Sequence, residues 1–126
     1  MAKTVLVVDD HPPTVRLIQN ALEQDGFSVV TAPNGAECVL AVHREQPDLV
    51  ILDVIMPVMD GFQALRVLRE NHRTKRLPVI ILTVRKSDED VLHGWQAGVD
   101  MYLTKPFEVT ELVAAVKRIL HTEDTQ

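Results

Sequence analysis

A single cysteine, Cys38, stands in 126 residues. An internal disulfide framework is thereby excluded, and the chain reads as one made for a reducing, cytoplasmic setting. Long hydrophobic runs are missing as well. The longest, Leu77–Val84, falls far short of the ~18 residues that a membrane span requires. The N-terminus passes from Met1-Ala2-Lys3-Thr4 straight into a strand-like segment, without the cleavage signature of a secretory leader. Positive charge is scarce: 13 Lys and Arg against 18 Asp and Glu give a formal net charge of −5, which argues against a polyanion-binding domain. No period of about 20–50 residues recurs and no stretch is of low complexity, so repeat architectures are excluded. The histidines are scattered, with no two at zinc-ligand spacing. No G-x-x-x-x-G-K-[ST] occurs, which excludes a P-loop nucleotidase.

What is present is an ordinary globular composition, 46% apolar and 25% charged. At about 150 residues per domain this makes one domain. It spans residues 1–121, with a polar tail or the start of a linker at 122–126. Short β-branched runs alternate with helix-period segments. Strands are expected at Thr4–Val8, Ser28–Ala32, Leu49–Leu52, Pro78–Leu82 and Met101–Leu103. Helices are expected from the Pro12-Pro13 pair to a stop at Gly26, from an Asn34 cap to about Gln46, and from Asp60-Gly61 onward. Two more run from Ser87 to near Gly98 and over about Val109–Leu120. Inward positions are Val15, Ile18, Ala21 and Leu22 on the first helix, Ala36, Val39 and Leu40 on the second, and Leu65 and Leu68 on the third.

Strands that read as unbroken apolar runs are buried on both faces, which means a parallel sheet flanked by helices. Right-handed crossovers then favour a doubly wound, flavodoxin-like α/β fold of five strands in the order 2-1-3-4-5. Ligands of such sheets bind beyond the carboxyl ends of the strands. There the sequence places Asp9-Asp10, Asp53, Thr83 and Lys105-Pro106. Converging carboxylates repel one another. A nearby ammonium and a hard divalent ion relieve that repulsion, and oxygen ligands without Cys or His suit Mg²⁺ above all, with Mn²⁺ as a substitute.

Four motifs carry a resemblance to a known family. They are V-V-D-D at Val7–Asp10, P-D-L-V-I-L-D-x-x-M-P-x-M-D-G at Pro47–Gly61, I-I-L-T at Ile80–Thr83, and A-G-V-D-M-Y-L-T-K-P-F at Ala97–Phe107. Over essentially its full length the chain resembles the receiver domain of two-component response regulators. The resemblance implies that Asp53 is the phosphoacceptor. It implies that Asp9 and Asp10, with Asp53 and the main-chain carbonyl of Ile55, hold Mg²⁺. Thr83 and Lys105 would stabilise the phosphoryl group, Thr83 and Tyr102 would switch together, and Lys105-Pro106 would be a cis peptide. Implied partners are a sensor histidine kinase or phosphotransfer protein, and a downstream protein or fused output domain. That output partner is engaged through the face made by the fourth helix, fifth strand and fifth helix. The domain is then a switch that catalyses only its own phosphorylation and dephosphorylation.

Other readings compete with this one. An aspartyl-phosphate phosphatase carries a second Asp two residues after its nucleophile, and here that position is Ile55. A flavin module needs a hydroxyl- and glycine-rich loop after the first strand, where this chain has Asp9-Asp10-His11-Pro12-Pro13. Cys38 reads as a small core residue, His11 as a loop residue, and Trp95 as part of the fourth helix. The basic stretch Arg66, Arg69, Arg73, Lys75 and Arg76 reads as a solvated helix end, with neither membrane nor direct nucleic-acid contact expected. In the winged-helix branch of the family a charged pattern pairs two receivers. Met101 and Ala115 replace charged residues of that pattern while Asp100, Lys117 and Arg118 remain, so a weakened ion-paired dimer and a stand-alone receiver or other output are expected.

Three side chains bear on access and lifetime. Val84 follows Thr83, where the family usually has a small residue, and its bulk is expected to narrow phosphoryl entry. Ile55 and Arg85 flank the path of a hydrolytic water. Ile55 cannot orient a water, and Arg85 can cover the phosphoryl oxygens. Slow self-dephosphorylation is expected; a tenfold effect needs only ~1.4 kcal/mol of barrier. Phosphoryl decay should quicken in Ile55→Asn, Arg85→Glu and their double variant. Equal or slower decay would show that these side chains do not guard the water path.

Overall fold

The computed structural model describes residues 2–54, 59–84 and 98–121. Five parallel strands form one sheet in the order β2-β1-β3-β4-β5. They are β1 (Thr4–Val8), β2 (Ser28–Ala32), β3 (Leu49–Leu52), β4 (Val79–Thr83) and β5 (Met101–Thr104). The helices are α1 (Pro12–Gln24), α2 (Gly35–Glu45), α3 (Gly61–Glu70) and α4 (Val109–Leu120). The helix expected from Ser87, with Trp95, lies outside the described residues. Among those described, no helix is long and apolar enough to cross a membrane.

Side-chain alternation along each strand divides the interior in two. On β1, Leu6 and Val8 point to a core shared with α2 and α3 that includes Val50, Leu52, Leu65, Leu68 and Ile81. Val5 and Val7 point to a second core shared with α1 and α4, with Ile18, Leu22, Ile51, Leu82, Leu112 and Val116. Both faces of the sheet are covered, which is why the inner strands β1, β3 and β4 read as apolar runs, whereas the edge strand β2 carries exposed Ser28 and Thr31.

Local signals set the helix ends. Two prolines open α1, where a missing N–H costs nothing, and Gly26 follows it at φ +90°. The Asn34 side chain accepts from the Glu37 N–H at 2.9 Å to cap α2. A reciprocal capping box starts α3: Asp60 accepts from the Gln63 N–H at 2.9 Å, and Gln63 accepts from the Asp60 N–H at 3.0 Å.

Two expectations are revised. The inward stripe of α2 is Gly35, Cys38, Ala41 and Val42, whereas Leu40 is 56% exposed. Small side chains at helical spacing let α2 lie close to the sheet, and they displace the bulkier Leu40 to solvent. The fourth strand runs one residue later than expected. Pro78 has no N–H to give the ladder, and Thr83 continues it opposite Thr104. On α4, Ala115 is buried in the second core, and the partly exposed Lys117 pairs with Asp25 beyond the end of α1 at 2.9 Å.

Cys38 is wholly buried, and burial pushes its thiol pKa up to about 12. The folded state therefore holds the neutral thiol while the unfolded chain ionises at the ordinary value near 8.5. The stability linked to this thiol is complete below that ordinary value and is lost as pH climbs toward the folded one. Urea unfolding of wild type beside Cys38→Ala should show the wild-type advantage shrinking above about pH 9, by up to ~1.4 kcal/mol per pH unit. A constant advantage from pH 7 to 11 would contradict a buried neutral thiol.

Candidate functional site

Register brings the acidic residues level. Val8 of β1 pairs with Leu52 of β3, so the next residue of each strand emerges at the same height. The Asp53 N–H extends the ladder by donating to the Val8 carbonyl at 2.9 Å, and the Asp9 N–H donates to the Ala32 carbonyl at 3.2 Å. On the other side of β3, the pairing of Thr83 with Thr104 carries the chain to Lys105, whose N–H donates to the Thr83 carbonyl at 2.9 Å. The Lys105–Pro106 peptide bond is cis.

The side chains meet at that edge. Carboxylate oxygens of Asp9, Asp10 and Asp53 lie within 4.8 Å of one another. Asp9 and Asp53 are buried, and Asp10 is exposed at the mouth. The Lys105 ammonium donates to Asp9 Oδ2 at 2.8 Å and to Asp53 Oδ2 at 3.3 Å. Burial alone would lower the pKa of this lysine. The hydrogen bond from Asp9 and the charges of Asp53 and Asp9 outweigh it, and the ammonium is held above its ordinary value. Among the described residues that meet there, the three carboxylates outnumber the Lys105 ammonium by two formal charges (3 − 1 = 2). An all-oxygen donor set with that surplus is suited to a hard divalent cation. A cavity of about 280 Å³ lined by Asp9, Asp10, Arg16 and Thr31 opens beside it.

Thr83 is fully buried at the end of β4, and Val84 beside it is 58% exposed. Tyr102 pairs in register with Ile81, two residues before Thr83, and packs on the α2/α3 side of the sheet. The structure thus gathers Asp9, Asp10, Asp53 and Lys105, with Thr83 at the adjoining strand end. Ile55 and Arg85 lie outside the described residues.

Several supporting groups escape the sequence reading. The His11 N–H donates to Asp9 Oδ1 at 2.9 Å, an Asx turn that leaves Asp9 oriented from both oxygens. The His11 ring itself turns outward, to the Thr14 hydroxyl at 2.7 Å. Gly61 lets α3 start against the site. Its N–H donates to the Val54 carbonyl at 2.9 Å, and a Cβ there would strike the Asp53 carbonyl oxygen and come within 2.8 Å of Val54 Cα. Gly35 does the same for α2, donating to the Met59 carbonyl at 3.0 Å. The Asp60-Gly61 dipeptide signals a helix start, but the close approach behind it becomes visible only in three dimensions.

Comparison with known proteins bears on this geometry. The family model of the response regulator receiver domain matches residues 5–117. TcrX of Mycobacterium tuberculosis is 40% identical over 117 residues, covering 93% of this chain and 49% of that protein. The alkaline phosphatase synthesis transcriptional regulatory protein PhoP of Bacillus subtilis is 39% identical over 124 residues, covering 98% of this chain and 51% of that protein. The chain therefore spans about half the length of these relatives. Among solved structures, chemotaxis protein CheY4 of Vibrio cholerae superposes with a TM-score of 0.88 at 31% identity, covering 94% of this chain and 99% of that one.

The ammonium between two buried carboxylates makes a direct prediction. Lys105→Met removes the ammonium that bridges Asp9 and Asp53. Removing one partner of a buried ion pair costs about 3–5 kcal/mol, and the lower end applies because Lys105 keeps 19% of its side chain exposed. Urea unfolding in a chelator should show a loss of ~3 kcal/mol, with part of it restored by millimolar Mg²⁺. An unchanged unfolding midpoint would mean that the pair is already screened by solvent.

Proposed function

The chain belongs to the response regulator receiver domain family, and on that premise we propose that Asp53 accepts a phosphoryl group in a Mg²⁺-dependent reaction that switches partner binding. The observation that carries this reading is the single ammonium of Lys105 held between Asp53 and Asp9. A cation fixed there offsets the repulsion that an anionic phosphoryl group meets on approaching an anionic nucleophile.

In the reaction an Asp53 carboxylate oxygen attacks phosphorus in line with the leaving group. The bond from phosphorus to the donor breaks, its electron pair leaves with the donor, and Asp53 becomes an acyl phosphate. An ionised carboxylate is a weak nucleophile, so the donor must itself be activated. A phosphohistidine of a sensor kinase or phosphotransfer protein meets that need, as does a small acyl phosphate. Asp9, Asp10 and Asp53, with the Ile55 carbonyl as a further ligand, would hold Mg²⁺ (or Mn²⁺), which would supply neutralising charge to the phosphoryl oxygens. Lys105 orients Asp53 before transfer and pairs with a phosphoryl oxygen after it. The Thr83 hydroxyl donates to another.

Phosphorylation then shifts a population rather than building a new fold. Thr83 moves toward the phosphoryl group, and Tyr102 turns into the space vacated on the same side of the sheet. The surface altered is that of β5 and its flanking helices, where a downstream protein or a fused output domain would dock. Relatives of twice this length, both named as transcriptional regulatory proteins, support the fused form. In this reading the exchange with the kinase takes place in the cytoplasm.

Incubation with acetyl phosphate and Mg²⁺ should add one phosphoryl group to the wild-type chain by intact-mass spectrometry. Asp53→Asn should add none, and Asp10→Asn should slow the transfer at least tenfold. The same adduct on Asp53→Asn would overturn the assignment.

A further inference from the structure

At the edge of the sheet opposite the acidic cluster, the C-terminal end of α2 and the turn from α3 to β4 enclose a cavity of about 400 Å³. Its floor is apolar: Val42 and Pro47 are buried and Leu77 is half-buried. Its rim carries the exposed guanidiniums of Arg73 and Arg76 with the exposed His43 beside them, and no acidic side chain lines it among the described residues. The contrast with the rest of the chain is sharp. The whole carries a net charge of −5, whereas residues 66–76 hold five cations (Arg66, Arg69, Arg73, Lys75, Arg76) against one acid, Glu70.

The turn that presents the arginines is firmly built. The Arg73 N–H donates to Asn71 Oδ1 at 2.9 Å. The buried Thr74 hydroxyl donates to the Leu68 carbonyl at 2.6 Å, and the Leu77 N–H closes the turn on the Thr74 carbonyl at 3.0 Å. Yet neither guanidinium has a side-chain hydrogen bond or ion pair within the described residues. Helix dipoles do not account for them. Arg69 serves the last turn of α3 and reaches the Thr74 and Gly98 carbonyls at 3.3 and 3.1 Å, while Arg73 and Arg76 lie beyond the end of that helix. The C-terminus of α2 contributes roughly half a negative charge, which two guanidiniums outweigh about fourfold.

We infer that this cavity binds a small phosphate-bearing organic anion of the nucleoside mono- or diphosphate class. Paired guanidiniums take phosphate oxygens in bidentate hydrogen bonds, with a fork geometry that an ammonium lacks. The floor of Val42, Pro47 and Leu77 offers an apolar surface to a planar ring, and the volume falls within the ~300–1,000 Å³ of small-molecule sites. The site is independent of the phosphoacceptor reading, because it lies at the other end of the strands and shares no residue with Asp9, Asp10, Asp53 or Lys105.

The test is an amide NMR titration of the full chain with ADP in the presence of EDTA, beside adenosine, inorganic phosphate and a short DNA duplex. ADP should saturate and shift the amides of residues 42–46 and 73–77, inorganic phosphate should shift the same amides more weakly, and adenosine should shift none. Arg73→Ala and Arg76→Ala should each weaken ADP at least tenfold, and Arg76→Lys should fall between Arg76→Ala and wild type. All three variants should keep wild-type amide dispersion and phosphorylation by acetyl phosphate. No saturable ADP shift, equal affinity in the alanine variants, shifts centred on Asp9 and Asp53, or tighter binding of the duplex than of ADP would each overturn the proposal.

Discussion

Repulsion among three carboxylates at one sheet edge is the constraint on which this structure is organised. A parallel sheet has no choice about where its strands end. Once β1 and β3 pair in register, Asp9 and Asp53 stand side by side, away from most solvent. Lys105 answers that repulsion from the far end of the chain, and its place depends on β5 pairing with β4 at the right register. The fold, the ion bridge and the candidate chemistry are thus one arrangement viewed at three scales.

Much of this is legible in the residues. Unbroken apolar runs identify the strands, because a strand covered on both faces has no polar side to show. Handedness narrows the topology to doubly wound forms, and the observed 2-1-3-4-5 order brings Asp9, Asp53 and Thr83 to adjoining strand ends. What escapes notice depends on close approach. Cys38 is read correctly as a core residue, but the rest of the α2 stripe is hard to read because Gly35 and Ala41 score weakly as hydrophobic beside Leu40, yet small size is the property that buries them. The His11 N–H that steadies Asp9 is a main-chain group, which no side-chain pattern announces. The last pairing of β4 at Thr83 depends on Thr104 across the ladder, and one strand read alone cannot reveal it.

The connections around the site are short and tightly coupled. Gly61 holds the start of α3 on the Val54 carbonyl, and Gly35 holds the start of α2 on Met59, two residues before Gly61. Both helices therefore take their positions from the chain that leaves Asp53. A change at that carboxylate reaches packed backbone first and flexible side chains second, and packed backbone responds by discrete steps rather than gradual bending.

The ion bridge also has a meaning in time. Lys105 meets Asp9 across 96 residues of chain, and Asp53 across 52. During synthesis the acidic pair is made long before its counter-ion, and β1 and β3 can pair while Lys105 is still to come. Closing so long a loop costs chain entropy that a local contact does not. The bridge therefore closes only when the last strand has docked beside β4. A chain stalled short of β5 has the Asp53 carboxylate without the Lys105 ammonium, so on the proposed reading competence to receive a signal becomes a certificate of complete folding.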